Sequence, residues 1–145
     1  MTKFEHIRHK PPTELQCERP FIIACSPLRS HVNLSTIMRM AGCSGVNKII
    51  ATGNAKVNAK IARDGAEQVE LQTKNSLPPV LKKLKQDGYT LVGLEQTTNS
   101  NNLHTFEFPH KCVLVVGAER EGLSQDCLDH LDYTVEIPVW GLPYS

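Results

Sequence analysis

Short apolar runs separated by helical patterns constrain the fold of this chain more than any other feature of its sequence. Five runs have the length and the flanking Gly, Pro or polar residues that are typical of buried strands. They lie at residues 21–27, 48–53, 90–97, 112–117 and 133–138. Helical patterns fill the intervals at residues 31–45, at 54–68 with a break at Gly65, at 77–88 and at 123–131. Such alternation predicts an α/β domain with a mostly parallel sheet and helices on both faces.

Segments rich in polar residues and glycine follow four of the predicted strands. Because ligands bind beyond the carboxyl ends of the strands in parallel sheets, these segments are the candidates for a functional site. They read SPLRSHVN (26–33), LEQT (94–97), GAEREGLS (117–124) and IPVWG (137–141).

Length and composition predict one globular domain preceded by a short lead-in. The 145 residues suffice for one hydrophobic core, and 40% hydrophobic with 21% charged residues is a globular balance. A formal net charge of +1 differs from that of a basic nucleic-acid-binding module, so any RNA contact needs a local patch or another domain. We interpret residues 1–19 as a flexible lead-in and residues 20–145 as the domain.

Cysteine usage and hydropathy predict a soluble intracellular protein, in the cytoplasm or in the nucleus. The chain has five cysteines, an odd number, and no CxxC pair, which favours a reducing compartment. It shows no signal-peptide pattern near its start and no stretch of 18 apolar residues, so no membrane association is expected.

The segment GAEREGLS combines two glycines with two acidic residues. Gly117 and Gly122 fit either an ordinary strand-to-helix turn or the close approach of a ligand to the backbone. The pattern is neither GxGxxG nor a P-loop. In an extended chain Glu119 and Glu121 point to opposite sides, which argues against an acid–base pair. Either carboxylate anchors the loop by accepting hydrogen bonds, or it is a solvated charge.

The helix predicted after the first strand carries two polar candidates. Asn33 is either a helix cap, if the helix begins near this residue, or a functional amide. Arg39 lies between Met38 and Met40, so it either extends its charge out of an apolar surface or holds an anion such as phosphate. Four apolar residues predict the buried stripe of the helix, namely Val32, Ile37, Met40 and Ala41.

Several common chemistries find no support in the sequence. The six histidines form no HExxH or other metal-ligand spacing, so no metal site is predicted. The serines lack a GxSxG elbow, which argues against a hydrolase triad. We interpret Lys82, Lys83 and Lys85 as a solvated helix face, with contact to RNA phosphates as the alternative.

Three of the segments together resemble one enzyme family. Residues 33–46, NLSTIMRMAGCSGV, resemble the first motif of the SpoU (TrmH-type) RNA 2′-O-ribose methyltransferases. LVVGAEREGLS (114–124) resembles their second motif, and VEIPVWGLPYS (135–145) resembles the opening of their third. The motifs keep the family's order and separation. The sequences EQT and GAEREGL are most similar to those of the eukaryotic tRNA guanosine 2′-O-methyltransferases of the TAR RNA-binding protein type.

The resemblance implies a fold, a reaction and its partners. The fold would be a SPOUT-type α/β knot, with a deep trefoil knot and two subunits that share the active site at their interface. The reaction would transfer a methyl group from S-adenosylmethionine to a ribose 2′-hydroxyl of RNA. The expected substrate is a guanosine in the D-loop of tRNA.

The resemblance also assigns roles to individual residues. Gly117 and Ile137 would contact the cofactor through backbone groups, while Glu95 and Gln96 would wall its pocket. The catalytic group would comprise Asn33, Arg39, Glu119 and Ser145. Because a guanidinium has a pKa above about 12, we interpret Arg39 as a phosphate clamp, and Glu119 as the residue that holds Asn33 or Arg39 in place.

The chain departs from the family pattern in two places. Leu34-Ser35 stand where the first motif commonly has a glycine or another small residue. The third motif stops at Ser145, before the Leu-Asn-Val and the long helix that threads the knot. These 145 residues are therefore expected to form an incomplete knot, to bind the cofactor weakly and to have little activity. The alternative to an enzyme is an RNA-binding or scaffold protein that keeps the fold.

Overall fold

One parallel sheet organises the structure. A computed structural model describes residues 3–14 and 19–143 of the chain. The strands in these residues are β1 (Phe21–Cys25), β2 (Lys48–Thr52), β3 (Glu70–Lys74), β4 (Thr90–Leu94), β5 (Asn101–Asn102), β6 (Cys112–Val116) and β7 (Tyr133–Glu136). The helices are α1 (His31–Ser44), α2 (Ala59–Ala62), α3 (Gly65–Gln68), α4 (Leu77–Gln86) and α5 (Gln125–Leu128).

The strand order is β3-β2-β1-β6-β4-β7-β5, and every neighbouring pair is parallel. The prediction of an α/β domain with a mostly parallel sheet is therefore confirmed. The apolar run CVLVV forms β6, which lies between β1 and β4. Because all strands run the same way, the segments that follow β1, β4, β6 and β7 come to one edge of the sheet.

Two hydrophobic clusters lie on the two faces of the sheet, because alternate residues of a strand point to opposite faces. On β1, Ile22 and Ala24 belong to the cluster that contains the buried leucines of α4. Cys25 belongs to the cluster that contains Leu34 and Met38 of α1. Helices therefore cover both faces of the sheet, as predicted.

Helix α1 begins at His31, where the helical pattern begins, and not near Asn33. Ser30 is the N-cap, and its hydroxyl accepts a hydrogen bond from the Asn33 amide nitrogen at 3.2 Å. Asn33 is therefore not the cap, and that alternative is wrong. Gly45 ends the helix in the left-handed conformation with φ 76°.

The predicted buried stripe of α1 is partly wrong. Leu34, Ser35, Met38 and Ala41 are its buried residues, whereas Val32 and Met40 are among the exposed large hydrophobic residues. The buried face differs because the helix starts at His31 and presents Leu34, Met38 and Ala41 to the sheet.

The structure differs from the sequence prediction in three further elements. The exposed, polar strand β3 was not predicted, because it lies at the sheet's edge and carries no apolar run. The helix predicted over 54–68 is two short helices, α2 and α3, separated by Arg63 and Asp64. The polar loop after β4 contains the short strand β5, which pairs with β7.

The remaining described residues add no further element. Residues 3–14 form no helix or strand and are exposed. The rest of the predicted lead-in is described only at Arg19, and Ser145 lies outside the described residues. No helix in the described part of the chain is both long and apolar enough to cross a membrane.

Candidate functional site

Glu119 joins the second predicted motif to the first. One of its carboxylate oxygens accepts a hydrogen bond from the Arg29 amide nitrogen at 2.9 Å. The other accepts from the Ser30 amide nitrogen at 3.1 Å and from Asn33 Nδ2 at 3.0 Å. These contacts span up to 90 residues of sequence. They bring Asn33 and Glu119 together, which the resemblance alone had suggested.

Hydrogen bonding sets the charge of the Glu119 carboxylate. The Arg29 amide is the largest of the causes that lower the pKa of Glu119 to about 2, with Asn33 and the Ser30 amide adding to it. Donors directed at a carboxylate favour its ionised form. Glu119 is therefore an anion at neutral pH, with its two oxygens occupied by three donors.

The 117–124 segment is a closed turn and not an extended chain. The Ala118 amide donates to the Gly122 carbonyl at 3.3 Å, and the Gly122 amide donates back to the Ala118 carbonyl at 2.9 Å. This closure places both acids of the turn against the segment before α1. The expectation that Glu119 and Glu121 point to opposite sides is therefore wrong.

Glu121 has a specific partner. Its carboxylate accepts a hydrogen bond from the Arg29 guanidinium, and the two side chains form an exposed ion pair. The pKa of Glu121 is lowered, first by its own backbone amide and then by the hydrogen bond from Arg29. Glu121 is exposed, as the interpretation as a solvated charge expects, but the turn also brings it to a specific cation 92 residues away.

The two glycines of the turn are required by the turn itself. A Cβ at Gly117 would lie 2.5 Å from the Gly122 carbonyl carbon and 2.7 Å from the Leu123 nitrogen. Gly122 has φ +65°, and a side chain there would collide with the Glu95 carboxylate. Of the two readings of these glycines, the ordinary strand-to-helix turn accounts for both positions.

Glu95 ties the segment after β4 to the same turn. One carboxylate oxygen accepts from the Leu123 amide at 2.9 Å, and the other accepts from the Gln96 amide at 3.1 Å. Its carboxylate therefore links the segment after β4 to the 117–124 turn. Glu95 and Glu119 thus fix the turn from two sides.

A cavity of about 230 Å³ lies between the ends of β4 and β7. Three of the four residues that the resemblance assigned to the cofactor line it, namely Glu95, Gln96 and Ile137. Leu94, Glu136 and Val139 complete the lining. Gly117, the fourth assigned residue, is not among the lining residues. The Glu136 carboxylate is held by the Ser100 hydroxyl at 2.6 Å.

Arg39 stands apart from the hydrogen-bonded group. It lies on α1, six residues after Asn33, and it is exposed. Within residues 19–143 its side chain makes no hydrogen bond or ion pair, so it does not contact Glu119. Its neighbour Met38 is buried and Met40 is exposed, so the apolar surroundings expected for Arg39 are present on one side only.

A larger cavity, of about 530 Å³, lies on the other side of the turn. Its walls come from the segment after β1, the start of α4 and the turn itself. Sequence reasoning missed this cavity and the role of Arg29 at its rim. The only signal was the position of Arg29 in a segment after a strand, because the partner that defines it is 92 residues away.

Metal ligands are not grouped in the described residues. No set of three or more His, Cys, Asp or Glu side chains among residues 3–14 and 19–143 is arranged to hold a metal ion.

Comparison with known proteins defines the class to which this fold and site belong. The chain matches the model of the SpoU rRNA Methylase family over residues 20–143. It therefore belongs to that family, whose named members are RNA 2′-O-methyltransferases.

Two similar proteins have named activities. The chain is 44% identical over 62 residues to mouse tRNA (guanosine(18)-2'-O)-methyltransferase TARBP1. The matched region covers 43% of this chain and 4% of that protein. The chain is 28% identical over 142 residues to the Saccharomyces cerevisiae tRNA (guanosine(18)-2'-O)-methyltransferase, covering 92% of this chain and 10% of that protein. The chain thus spans a small part of these two relatives.

A solved structure shows the same fold. The SpoU methyltransferase AviRb from Streptomyces viridochromogenes, in complex with the cofactor AdoMet, superposes with a TM-score of 0.72. Its sequence is 23% identical, and the match covers 93% of this chain and 58% of that one.

Proposed function

We propose that the chain is the catalytic domain of an RNA 2′-O-methyltransferase that uses S-adenosylmethionine and acts on a guanosine of tRNA, in its D-loop. The observation that supports this most directly is the hydrogen bond from Asn33 Nδ2 to Glu119. It joins the first and second motifs of the family across 86 residues, at the edge of the sheet where ligands of such folds bind. The two relatives named above are both named as tRNA (guanosine(18)-2'-O)-methyltransferases.

The cavity at the ends of β4 and β7 fits the cofactor by the chemistry of its lining. Leu94, Ile137 and Val139 supply apolar surface for a purine ring, and Glu136 supplies a hydrogen-bond acceptor. Backbone groups of Ile137 and, by its motif position, of Gly117 would contact the cofactor, while Glu95 and Gln96 would wall its pocket. When bound, S-adenosylmethionine supplies a methyl group on a positively charged sulfur.

Asn33 and Glu119 have different roles in positioning the ribose hydroxyl. Because Asn33 Nδ2 donates to Glu119, the amide oxygen of Asn33 is left to accept a hydrogen bond from a ribose hydroxyl. Glu119 is ionised and saturated with donors, so it positions Asn33 and does not take the proton. Holding the hydroxyl in place contributes to catalysis through proximity and orientation.

Arg39 is the proposed clamp for an RNA phosphate. Its guanidinium is exposed and has no protein partner among residues 19–143, which leaves its donors for an anion. Arginine matches phosphate geometry with two parallel hydrogen bonds. A guanidinium has five donors and no acceptor, so the role proposed for Arg39 is to hold and orient the substrate and not to accept the proton.

The finer points of the family fold are proposals as well. A trefoil knot and a homodimer with a shared site follow from family membership, and Ser145 belongs to the proposed catalytic group by its motif position. The strand β7 pairs with β4, whose other neighbour is β6. The segment after β7 thereby reaches the edge where the first and second motifs meet.

The test is transfer of a labelled methyl group from S-adenosylmethionine to unmodified tRNA, followed by digestion to locate 2′-O-methylguanosine. Arg39→Ala should lower the transfer rate by about 100-fold, whereas Lys82→Ala, an exposed cation on α4, should leave it unchanged. Equal rates for both variants would remove Arg39 from the mechanism. Binding of tRNA without transfer by the wild-type chain would support the scaffold alternative.

A further inference from the structure

The larger cavity has the dimensions and the lining of a small-molecule site. Its volume of about 530 Å³ falls within the roughly 300–1,000 Å³ of such sites. Apolar walls come from Pro27, Leu28, Leu77 and Pro78. A flat aromatic ring fits between walls of this kind, because proline and leucine offer apolar surface with few polar groups to desolvate.

Two serine hydroxyls in the cavity lack protein partners. Ser76 is the N-cap of α4, yet its side chain makes no capping hydrogen bond. Ser26 is buried, its amide nitrogen donates to the Val116 carbonyl, and its hydroxyl has no hydrogen bond within residues 19–143. Both hydroxyls line the cavity and can donate to or accept from a ligand.

The Arg29–Glu121 ion pair lies at the rim of the cavity and presents donors beside acceptors. Guanine carries acceptors at O6 and N7, which match a guanidinium, and donors at N1 and N2, which match a carboxylate. Adenine places an acceptor at N1 and has no amino group at C2, so it opposes a carboxylate there. The charges at the rim therefore complement guanine and not adenine.

The cavity adjoins the Asn33–Glu119 group of the proposed active site. Arg29 lines it, while the backbone nitrogen of Arg29 donates to Glu119. Ala118 lines it from the turn that carries Glu119. The sugar of a nucleotide whose base enters the cavity would therefore lie beside the segment that holds Asn33.

We propose that this cavity receives the guanine base of the RNA substrate, and that Glu121 and Arg29 are the residues that determine specificity for guanine over adenine. The inference rests on the proposed function and names the part of the substrate that the chain reads. Entry of the base replaces an exposed ion pair, which contributes little to stability, with hydrogen bonds to the base edge. The ribose hydroxyl is thereby presented to the neighbouring site.

Nucleotide binding to the 145-residue chain tests this directly. In a titration followed by amide NMR, guanosine 5′-monophosphate should shift the signals of Ala118 and Gly122, and inorganic phosphate should not. Inosine 5′-monophosphate lacks the N2 amino group, so it should bind about tenfold more weakly through the loss of one charge-assisted hydrogen bond. Adenosine 5′-monophosphate should bind more weakly still.

Two variants and a control locate the effect. Glu121→Gln should remove most of the preference for guanosine over inosine monophosphate, and Ser76→Trp should block binding by filling the cavity. Asp87→Asn breaks a comparable exposed ion pair with Lys83 on α4 and should leave the preference unchanged. Equal binding of the three nucleotides, shifts that avoid the cavity, or a preference retained in Glu121→Gln would overturn the inference.

Methyl transfer separates this inference from the proposed function. Transcripts with inosine at the position that the chain methylates should react about tenfold more slowly than those with guanosine, and equally in Glu121→Gln. Equal transfer rates for the inosine and guanosine transcripts would overturn the cavity assignment but would not contradict the methyltransferase proposal. Guanine-selective binding in the cavity without any methyl transfer would support the cavity assignment and contradict the methyltransferase proposal.

Discussion

Two segments at the same edge of the sheet differ in how the chain holds them. The 117–124 turn is fixed by its own backbone, by Glu95 and by the segment before α1. The 137–143 segment carries Ile137, Trp140 and Leu142 at 52%, 83% and 77% exposure. Hydrogen bonds thus define one wall of the candidate site within this chain, and the other wall is open to solvent. The predictions below test that difference.

The largest expected effect is that of a side chain at Gly117. Gly117→Ala places a Cβ against the backbone of residues 122–123, which cannot move without opening the turn. We expect a loss of about 2–3 kcal/mol in the free energy of unfolding, typical of overpacking against fixed atoms. Urea denaturation measures it.

Gly141→Ala is the matched control in the open segment. A Cβ at Gly141 meets no atom within 4 Å, so the change should stay within about 0.5 kcal/mol. Similar costs for the two substitutions would mean that the two segments do not differ as described.

Removing the Glu119 carboxylate should have the next largest effect. Glu119→Ala deletes three hydrogen bonds, but the freed donors at Arg29, Ser30 and Asn33 reach water. We therefore expect a loss of only about 1–2 kcal/mol in the free energy of unfolding, together with a larger loss of methyl transfer because Asn33 is no longer oriented. A drop in stability without a drop in transfer would contradict the positioning role.

The contribution of Glu119 should vanish in acid. Its pKa in the folded chain is lowered from 4.5 to about 2, so its stabilising effect is complete above about pH 4.5. The effect should fade as the pH drops from there toward 2, because the unfolded state takes up the proton in that range while the folded state stays ionised. The difference in unfolding free energy between the wild type and Glu119→Gln, measured from pH 7 to pH 2, should shrink across that window. A constant difference would show that charge plays no part.

The smallest change in stability is expected in the open segment. Trp140→Ala removes a side chain that is 83% exposed, so the free energy of unfolding should change by less than about 0.5 kcal/mol. Thermal unfolding of the 145-residue chain measures it. A cost above 1.4 kcal/mol, tenfold in the equilibrium constant, would show that Trp140 packs in solution.

Cysteine reactivity gives an independent check of the core. Burial raises the pKa of Cys25 to about 12 and also raises that of Cys112, so neither forms a thiolate readily. Cys43 is exposed on α1. A thiol reagent at neutral pH should therefore modify Cys43 well before Cys25 and Cys112, and equal rates would contradict the packing of β1 and β6.

Local pattern determined much of the fold. The apolar runs at 21–25, 48–52, 90–94 and 112–116 became strands, because short apolar runs bounded by turn residues are typical of strands buried within a parallel sheet. Helix α4 was bounded by its prolines and by Gly88. The edge strand β3 escaped prediction, because an edge position is stabilised by backbone pairing with β2 and needs no apolar run.

The sequence by itself also determined the chemistry that is available: an amide at Asn33, a guanidinium at Arg39, carboxylates at 95, 119 and 121, and two glycines in one turn. Only the tertiary structure decided how these groups are used. In the folded chain Glu119 accepts hydrogen bonds from the segment at the start of α1, and Glu95 accepts one from the 117–124 turn. Glu121 pairs with Arg29. The physical reason is that a carboxylate takes its role from the donors that surround it. Apart from the Gln96 amide beside Glu95, those donors come from residues 28 to 92 positions away in the chain.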